Sequence, residues 1–469
     1  MKNTIIPQCI LFFLLALLPE PAAAQETAFH LPRYEKVKLK NGLTVYLMEQ
    51  REVPLVYVTA VFPAGAVHDG NQAGLAFLTA EALSFGTKKF TKDQIEEQVD
   101  FLGASLNAYA TTEAAYVTSS FAAADTDVML PLLEQVITAP GFDVKEVTKR
   151  RARLLAELKQ AKEKPREVIG AYFAKFLYND HPYGNPVMGT NEAAAALQAT
   201  DVQRFYAAHY HPEEAALAVV GDFDVRKMRG KIKRLFGDWQ SPGPEAVAAA
   251  ATSNRDAAMP SQRKVLLINK PDATETTFQI GGLGIARNNE DYVAVQVVNT
   301  ILGGRFTSWL NDELRVNAGL TYGAGSSFTT HRQAGSFAIS TFTQTATTGQ
   351  AVDLALKVYY RLLNEGPDAA TLSSAKNYIK GQFPPRYETS GQLATLLAEM
   401  FLYNFDESFI NTFNQKVDAL SPERAKEVTR KYFPRENLVF VLIGKADEIR
   451  DTVKQYGEIT EKQIKEEGF

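Results

Sequence analysis

The chain has 469 residues, of which 50 are Lys or Arg and 54 are Asp or Glu, so its formal net charge at pH 7 is -4. Because the two signs are interleaved, the charge pattern excludes the basic surface expected of a nucleic-acid-binding protein or of one held on an anionic membrane. A hydrophobic content of 45% over this length exceeds what one core usually serves, which predicts at least two domains.

The first residues, 1–24, have the pattern of a cleavable export signal. Lys2 precedes an apolar run from Cys9 to Leu18, and the small residues Ala22 to Ala24 precede Gln25. We therefore expect a mature protein that works in the periplasm. The only cysteine lies in this segment, so no thiol is expected in the mature protein. No later segment has the roughly 18 to 20 uninterrupted apolar residues of a membrane span. The mature chain is therefore predicted to contain no membrane-spanning helix.

Further along the chain, strand pairs separated by turn residues are predicted within residues 42–65 and again within 264–285. A long helix is predicted over residues 144–164, which are rich in Glu, Lys, Arg and Leu and which Pro165 interrupts. Residues 241–263 are rich in Ala, Pro and Ser and lack useful periodicity, so they are predicted to be a linker.

Two distant segments follow one plan: LQATDVQRFYAAHYHPEEAALAVVGDFD begins at Leu197, and LSPERAKEVTRKYFPRENLVFVLIGKAD begins at Leu420. In each, a helix ends at a Tyr-x-Pro break, and an apolar strand then ends in glycine, at Gly221 or Gly444. The distance from the leucine to the glycine is the same in both segments. This repetition predicts an internal duplication of a whole domain.

The repeated segments also predict local structure. Thr200 and Ser421 are candidate helix N-caps. Short buried strands are predicted over Ala215–Gly221 and Leu438–Gly444.

The duplication divides the chain into an N-terminal domain over residues 25–240 and a C-terminal domain over 264–469. Each half alternates strand pairs and helices in the same order. The predicted fold class is α+β, with two homologous domains that each have a mainly antiparallel sheet and helices packed on one face.

The segment GLAFLTAEALSFGT, Gly74 to Thr87, resembles the N-terminal metal-binding helix of the insulinase/pitrilysin family of zinc peptidases. In that family the motif H-x-x-E-H lies inside the same Gly-Leu-Ala and Gly-Thr frame. The resemblance covers nearly the whole mature chain and includes the segments HPYGNPVMGTNEA, HYHPEEAALAVVGDFD and LGGRFTSWLNDELRVNAGLTYG. It implies that the two domains together form one half of a clamshell.

The resemblance places the family's first histidine at Phe77, its general-base glutamate at Ala80 and its second histidine at Glu81. The third ligand of the family falls on Glu157. Zinc requires about four nitrogen, sulfur or oxygen donors, and neither Phe77 nor Ala80 offers one, so no metal is expected on this chain. Ala80 also cannot deprotonate a water. We therefore predict a core helix in which Glu81 is paired with a cation or solvated, and whose core residues are Leu75, Leu78 and Leu83.

A second interpretation keeps a metal in this helix. Glu81 and Glu157 would meet if the two helices pack as they do in the family. Two carboxylates without a histidine favour hard cations only weakly. An autonomous peptidase with another metal therefore ranks last among the hypotheses.

The histidines offer no other metal site by their spacing. His209 and His211 flank Tyr210 in a pattern that chelates a metal in a strand, but no third ligand follows at a suitable distance. The HPYGN segment is predicted to be a turn in which His181 and Tyr183 are structural. Loop or surface roles are predicted for the histidines that are isolated along the chain: His30, His68, His181 and His331.

In the second half, Arg315 and Tyr322 match an arginine and a tyrosine of the family's C-terminal domain. The resemblance implies that they reach across a chamber to the zinc site, where the arginine holds the substrate backbone and the tyrosine donates to the oxyanion. The structural alternative is an arginine that caps helix carbonyls and a half-buried tyrosine that packs.

The positions that bind the metal in the family are therefore changed in this chain, whereas the positions that orient the substrate are kept. This pattern resembles the non-zinc subunit of bacterial two-chain members of the family. We expect a periplasmic subunit that is inactive alone, binds no cofactor of its own, and gives Arg315 and Tyr322 in trans to a homologous zinc-bearing subunit that cleaves peptides. The alternative is a non-enzymatic clamshell that binds peptides or organises an envelope assembly.

Overall fold

The computed structural model describes residues 29–240 and 257–469. The predicted export signal, residues 1–24, and most of the predicted linker lie outside the described residues. Within the described ranges, no helix has both the length and the apolar composition needed to cross a membrane.

Two six-stranded sheets form the centres of the two halves. The strands of the first sheet, β1 to β6, are Glu35–Lys38, Thr44–Glu49, Leu55–Phe62, Ser105–Ala110, Ala115–Ala122 and Ala216–Gly221. The strands of the second sheet, β7 to β12, are Lys264–Asn269, Glu275–Leu283, Ala324–Thr329, Ser336–Gln344, Val439–Gly444 and Glu458–Gln463.

Helices connect these strands and, with them, make up most of the described chain. The helices of the first half, α1 to α8, are Leu75–Ala82, Lys92–Phe101, Thr126–Thr138, Val144–Ala161, Pro165–Tyr178, Asn191–Ala196, Ala199–His209 and Val225–Phe236. The helices of the second half, α9 to α17, are Tyr292–Leu302, Trp309–Asn311, Thr348–Glu365, Ala369–Gln382, Ser390–Tyr403, Ser408–Asn411, Phe413–Asp418, Pro422–Tyr432 and Ala446–Val453. A π-helix, Asp312–Asn317, continues α10.

The two sheets have the same internal topology. The first has the strand order β1-β2-β6-β3-β5-β4, and the second has the order β12-β7-β11-β8-β10-β9. In the first sheet β6 lies between β2 and β3, and in the second β11 lies between β7 and β8. Each of these two strands is parallel to its first neighbour, β2 or β7, and antiparallel to its second, β3 or β8. The sheets differ at one edge, where β1 is antiparallel to β2 but β12 is parallel to β7. The predicted α+β fold with two homologous domains is confirmed, as a pair of mixed sheets.

One of the two predicted N-caps is present. Ser421 accepts a hydrogen bond from the backbone N–H of Arg424 at 3.2 Å. The prediction for Thr200 is wrong, because α7 begins one residue earlier and Thr200 lies in its first turn. The carboxylate of Asp201 instead accepts from the backbone N–H of Gln198 at 2.8 Å, which satisfies a donor just before the helix.

Both faces of the first sheet are buried, by helices from different halves. On β6, Leu217 and Val219 point into the core that the first half's own helices form. The alternate residues, Ala218 and Val220, point into a core shared with the second half. There α13 packs across β3 and β6, so a helix of the second half covers the sheet of the first.

The exchange is reciprocal. On β11, Val441 and Ile443 pack with α5 of the first half, through residues such as Ile169 and Phe173. The alternate residues, including Phe440, face the second half's own core. Strands buried on both faces have continuous apolar sequences, which explains the patterns of β6 and β11. The sequence predicted helices on one face only, and each opposite face carries a helix from the other half.

We expect Leu397→Ala to lower the free energy of unfolding by about 2–5 kcal/mol, because Leu397 lies fully buried in α13 and truncation leaves a cavity. Since α13 covers the sheet of the other half, calorimetry should show both halves unfolding together in one transition at a lower temperature.

Val53→Ala is the matched control, since Val53 is 56% exposed and its truncation should change stability by less than about 0.5 kcal/mol. Two separate transitions in Leu397→Ala, with only one of them shifted, would contradict the interlocked architecture.

Candidate functional site

A buried carboxylate and a glycine fix the start of α1, the helix with the predicted metal positions. Asp69 accepts hydrogen bonds from the backbone N–H groups of Gly74 and Ala76, both at 2.8 Å. Burial raises the pKa of Asp69 to about 7, although these bonds oppose the shift. Gly74 has a φ of +96°, and a Cβ there would lie 2.9 Å from the carbonyl oxygen of Met188, so the position requires glycine. The predicted core residues of this helix are buried: Leu75, Leu78 and Leu83.

Three of the four predicted metal positions, Phe77, Glu81 and Glu157, meet around an arginine between α1 and α4. Nε of Arg150 is 2.6 Å from Oε2 of Glu81. Nη2 of Arg150 is 3.0 Å from Oε2 of Glu157. Its Cζ is 5.3 Å from the ring centroid of Phe77, and Ala80 is fully buried beneath. Glu81 is therefore paired with a cation, and that cation is a side chain of the chain itself.

These contacts stabilise the charged form of Arg150. Its side chain is only 11% exposed, and burial alone would lower its pKa. The hydrogen bond and charge of Glu81, and then those of Glu157, more than offset this and raise the pKa of Arg150 above its usual value. Burial also raises the pKa of Glu81, against the opposing effect of Arg150. A guanidinium shared by two carboxylates is a strong, directional arrangement.

The donor set does not fit the zinc that the family resemblance implies. Phe77 and Ala80 have no donor atom, and both carboxylates are engaged by Arg150. Across residues 29–240 and 257–469, no group of three or more His, Cys, Asp or Glu side chains is arranged to hold a metal ion. The alanine side chain has no group that could deprotonate a water. Phe77 and Ala80 therefore supply neither a zinc ligand nor a general base.

Arg315 and Tyr322 lie together in the second half, where both line an open pocket of about 630 Å³. Arg315 belongs to the π-helix, and its Cζ is 4.6 Å from the ring centroid of Phe306. Tyr322 is 83% exposed and stacks on Phe342 with ring centroids 6.4 Å apart. Within the described part of the chain, no hydrogen bond or ion pair engages the Arg315 guanidinium or the Tyr322 hydroxyl. In this part of the structure Arg315 caps no helix carbonyl, and Tyr322 is exposed and not half-buried as the structural alternative requires.

The backbone around Tyr322 is held by buried threonines. Thr341 on β10 donates to the hydroxyl of Thr321 at 3.1 Å and to the carbonyl oxygen of Gly323 at 2.8 Å. The hydroxyl of Thr321 is within 3.1 Å of the same carbonyl oxygen. The exposed ring of Tyr322 is therefore presented by an anchored loop.

The structure does not place the two sets of residues in one pocket. The residues around Tyr322 all belong to the second half, between Glu275 and Thr347. Phe77, Ala80 and the Arg150 contacts lie on α1 and α4 of the first half.

Several histidines meet where the halves join, which their separation along the chain did not predict. His209 is the last residue of α7 and not part of a strand, and its ring centroid is 4.4 Å from that of His68. His211 lies beyond the helix end and contacts a backbone carbonyl. Of the loop or surface role predicted for His331, the loop is present, since the residue lies outside the named strands. It is not at the surface, because it is 8% exposed and its Nδ1 is 3.6 Å from Oε2 of Glu113. Loops from both halves fold over one another here.

Arg150 is the residue that sequence reasoning missed. It precedes Glu157 by two helical turns on α4, so helical periodicity places the two on one face. The spacing of Arg150 and Glu157 was therefore a usable signal in the sequence. The contact between Arg150 and Glu81, which lie on two different helices, depends on tertiary packing.

Comparison with known families gives two matches that together span most of the described chain. The model described as insulinase (peptidase family M16) matches residues 44–191. The model described as peptidase M16 inactive domain matches residues 196–379. The first range contains the positions around Arg150, and the second contains Arg315 and Tyr322.

Curated relatives match over most of their length. An uncharacterised zinc protease of Mycobacterium leprae is 24% identical over 397 residues, which cover 84% of this chain and 88% of the relative. The non-peptidase homolog YmxG of Helicobacter pylori is 23% identical over 426 residues, with coverage of 86% and 94%. The chain is thus similar both to proteins named as proteases and to one named as a non-peptidase.

Solved structures share the architecture. The peptidase M16 inactive domain from Pseudomonas fluorescens superposes with a TM-score of 0.82 at 26% identity, covering 88% of this chain and 98% of that one. A protease from Helicobacter pylori superposes with a TM-score of 0.81 at 21% identity, covering 88% and 100%. The second likeness concerns the fold alone.

We expect Arg150→Met to lower the free energy of unfolding by about 2 kcal/mol at pH 7, because it leaves two carboxylates without their counter-charge. The loss is smaller than for a fully buried pair, since the side chain of Glu157 is 38% exposed. Without Arg150, the pKa of Glu81 rises further above its unfolded value, so protonation stabilises the variant as the pH falls. Urea unfolding should therefore show a larger loss at pH 7 than at pH 4.5.

The control is Arg204→Met, which removes an ion pair with Asp201 made by a largely exposed arginine and should cost under about 0.5 kcal/mol. Equal stability losses for Arg150→Met at both pH values would contradict an electrostatic role for Arg150.

Proposed function

The chain belongs to the insulinase family as a non-catalytic, peptidase-like member, and on this premise we propose that it is the metal-free subunit of a two-chain peptidase. The proposed partner is a homologous subunit with an intact H-x-x-E-H motif, which holds the zinc, and this chain has no cofactor of its own. The proposed compartment is the periplasm, because residues 1–24 have the pattern of an export signal.

The observation that supports this proposal most strongly is the contrast between the two predicted sites. At the first, Arg150 forms ion pairs with both Glu81 and Glu157, and the remaining positions are apolar. At the second, a guanidinium and a phenol that make no ion pair or hydrogen bond within residues 29–240 and 257–469 face an open pocket. A charged and a hydrogen-bonding side chain left without internal partners are suited to contact something outside the chain.

The chemistry assigned to each residue follows from its groups. The planar guanidinium of Arg315 presents several N–H donors in a fixed fork, which suits the carbonyl oxygens of a bound peptide backbone. The hydroxyl of Tyr322 is a single donor that an anchored loop holds in place, so it can stabilise an oxyanion with little reorganisation. The zinc of the partner supplies the activated water in this arrangement.

We expect Tyr322→Phe to lower the turnover number of the assembled pair by roughly 100-fold or more, because an oxyanion donor is worth on the order of 3 kcal/mol. Peptide hydrolysis is measured for the chain alone, for the zinc-bearing homologue alone and for the mixture. Tyr378→Phe is the matched control, since Tyr378 is another exposed tyrosine of the second half. Full turnover by the Tyr322→Phe pair would refute the role of the hydroxyl.

Arg315→Lys keeps the charge but loses the fork, so we expect kcat/KM of the pair to fall by roughly 10-fold, mainly through KM. The comparison is made at several substrate concentrations so that KM and kcat separate. Peptide binding without cleavage in every pairing would instead favour the scaffold hypothesis.

A further inference from the structure

A cavity of about 730 Å³ lies where the two halves meet, and we call it the seam cavity. The first half contributes His68, the start of the HPYGN segment, His209 and Glu214. The second half contributes Arg332 and the end of α13. Its volume is within the range of small-molecule sites, which often lie at domain interfaces. Two of the segments that carried the family resemblance therefore line a pocket separate from Arg315 and Tyr322.

A buried carboxylate fixes the second-half wall of the cavity. Glu113 accepts hydrogen bonds from the Tyr183 hydroxyl at 2.7 Å and from the backbone N–H of Arg332 at 3.0 Å. The Tyr183 oxygen in turn accepts from the backbone N–H of Gln333 at 3.1 Å. Hydrogen bonding of this carboxylate, with the nearby His331, lowers the pKa of Glu113 despite burial. The charge of Glu113 is therefore used within the fold.

The guanidinium of Arg332, unlike the carboxylate of Glu113, makes no hydrogen bond or ion pair within the described ranges. Its backbone is fixed by Glu113, but its side chain is exposed at the cavity. Among the described residues, no ion pair or hydrogen bond to the guanidinium is formed. Its positive charge helps to lower the pKa of His68, after the larger effect of burial. Within the part of the chain that the structure describes, the Arg332 guanidinium in the seam cavity is therefore not engaged in an ion pair.

A second polar group in the cavity is also unpartnered. His209 is 7% exposed, and its ring is packed against those of His68 and Phe205, each at a centroid distance of 4.4 Å. In the described structure, neither ring nitrogen of His209 has a hydrogen-bond partner. Burial lowers the pKa of His209 to about 3, so the ring is neutral at pH 7 and offers one N–H donor and one acceptor. Buried polar groups of this kind normally have partners.

We propose that the seam cavity binds the free C-terminal carboxylate of short peptides, with Arg332 as the counter-charge and His209 as a hydrogen-bond donor. A guanidinium fork matches a carboxylate in shape as well as in charge. A singly charged group suits the cavity better than a dianionic phosphate, because Glu113 and Glu214 also line it. Apolar residues of both halves line the rest, including Val67, Phe401 and Leu402, which favours a peptide with an apolar last residue.

This inference does not rest on the proposed two-chain function. It concerns the isolated chain, and its test needs no partner and no hydrolysis. The proposal of a carboxylate site and the proposal of a two-chain peptidase can therefore be refuted independently.

The test is calorimetric titration of the isolated chain with N-acetyl-Ala-Ala-Leu and with its C-terminal amide. We expect the acid to bind at least about 10-fold more tightly than the amide, because only the acid pairs with Arg332. Arg332→Gln should remove this difference. Arg430→Gln is the matched control, since Arg430 is an exposed arginine of the second half without an ion pair in the described chain, and it should preserve the difference.

His209→Phe keeps a ring of similar shape and removes the N–H donor, so the acid should bind about fivefold more weakly. Acetate and inorganic phosphate are titrated as competitors. Equal affinity for acid and amide, an unchanged preference in Arg332→Gln, or no binding at millimolar peptide would overturn the proposal. Displacement of the peptide by equimolar acetate or phosphate would also overturn it, since the site would then recognise small anions and not peptide termini.

Discussion

The architecture depends on the burial of both faces of each central sheet. Strands β6 and β11 are apolar at every position, and the helices of one half can cover only one face. The opposite faces are buried because α5 and α13 cross to the other half. The hydrophobic effect therefore makes the two domains one cooperative body, although the duplication gives each of them a complete strand order of its own. The seam cavity, the buried Glu113 and the histidine contacts all follow from this interlocking.

On this scaffold the two predicted sites have different electrostatic surroundings. At the first-half position the charges are paired within the chain: a guanidinium lies between two carboxylates and beside an aromatic ring. The second-half position is unsatisfied, since Arg315 and Tyr322 have polar groups directed at an open pocket. Stability favours the first arrangement, and contact with an external ligand is the ordinary reason to keep the second. The function proposed for the chain follows from that contrast.

Much of the fold was predictable from local patterns, and the tertiary contacts were not. Apolar runs ending in glycine located β6 and β11 to within a residue, and Pro165 marked the boundary between α4 and α5. Ser421 was a correct cap, whereas the N-cap of α7 is Gln198 and not Thr200. The positions of Phe77, Ala80, Glu81 and Glu157 were identified as a group, but Arg150 was not, because its pairing with Glu81 joins two helices far apart in sequence. The meeting of His68 with His209, and of His331 with Glu113, likewise depends on loops that only the assembled halves bring together.

The arginine between α1 and α4 also determines what it would take to build a metal site in this chain. A metal ion depends on its supply in solution, but a cation that is part of the polypeptide is always present. Engineering a zinc site here would require imidazoles to be placed beside a resident positive charge, or the arginine to be removed first, which leaves two carboxylates without a counter-charge. Either order passes through a less stable variant, so Arg150 must be replaced together with Phe77, Ala80 and Glu81.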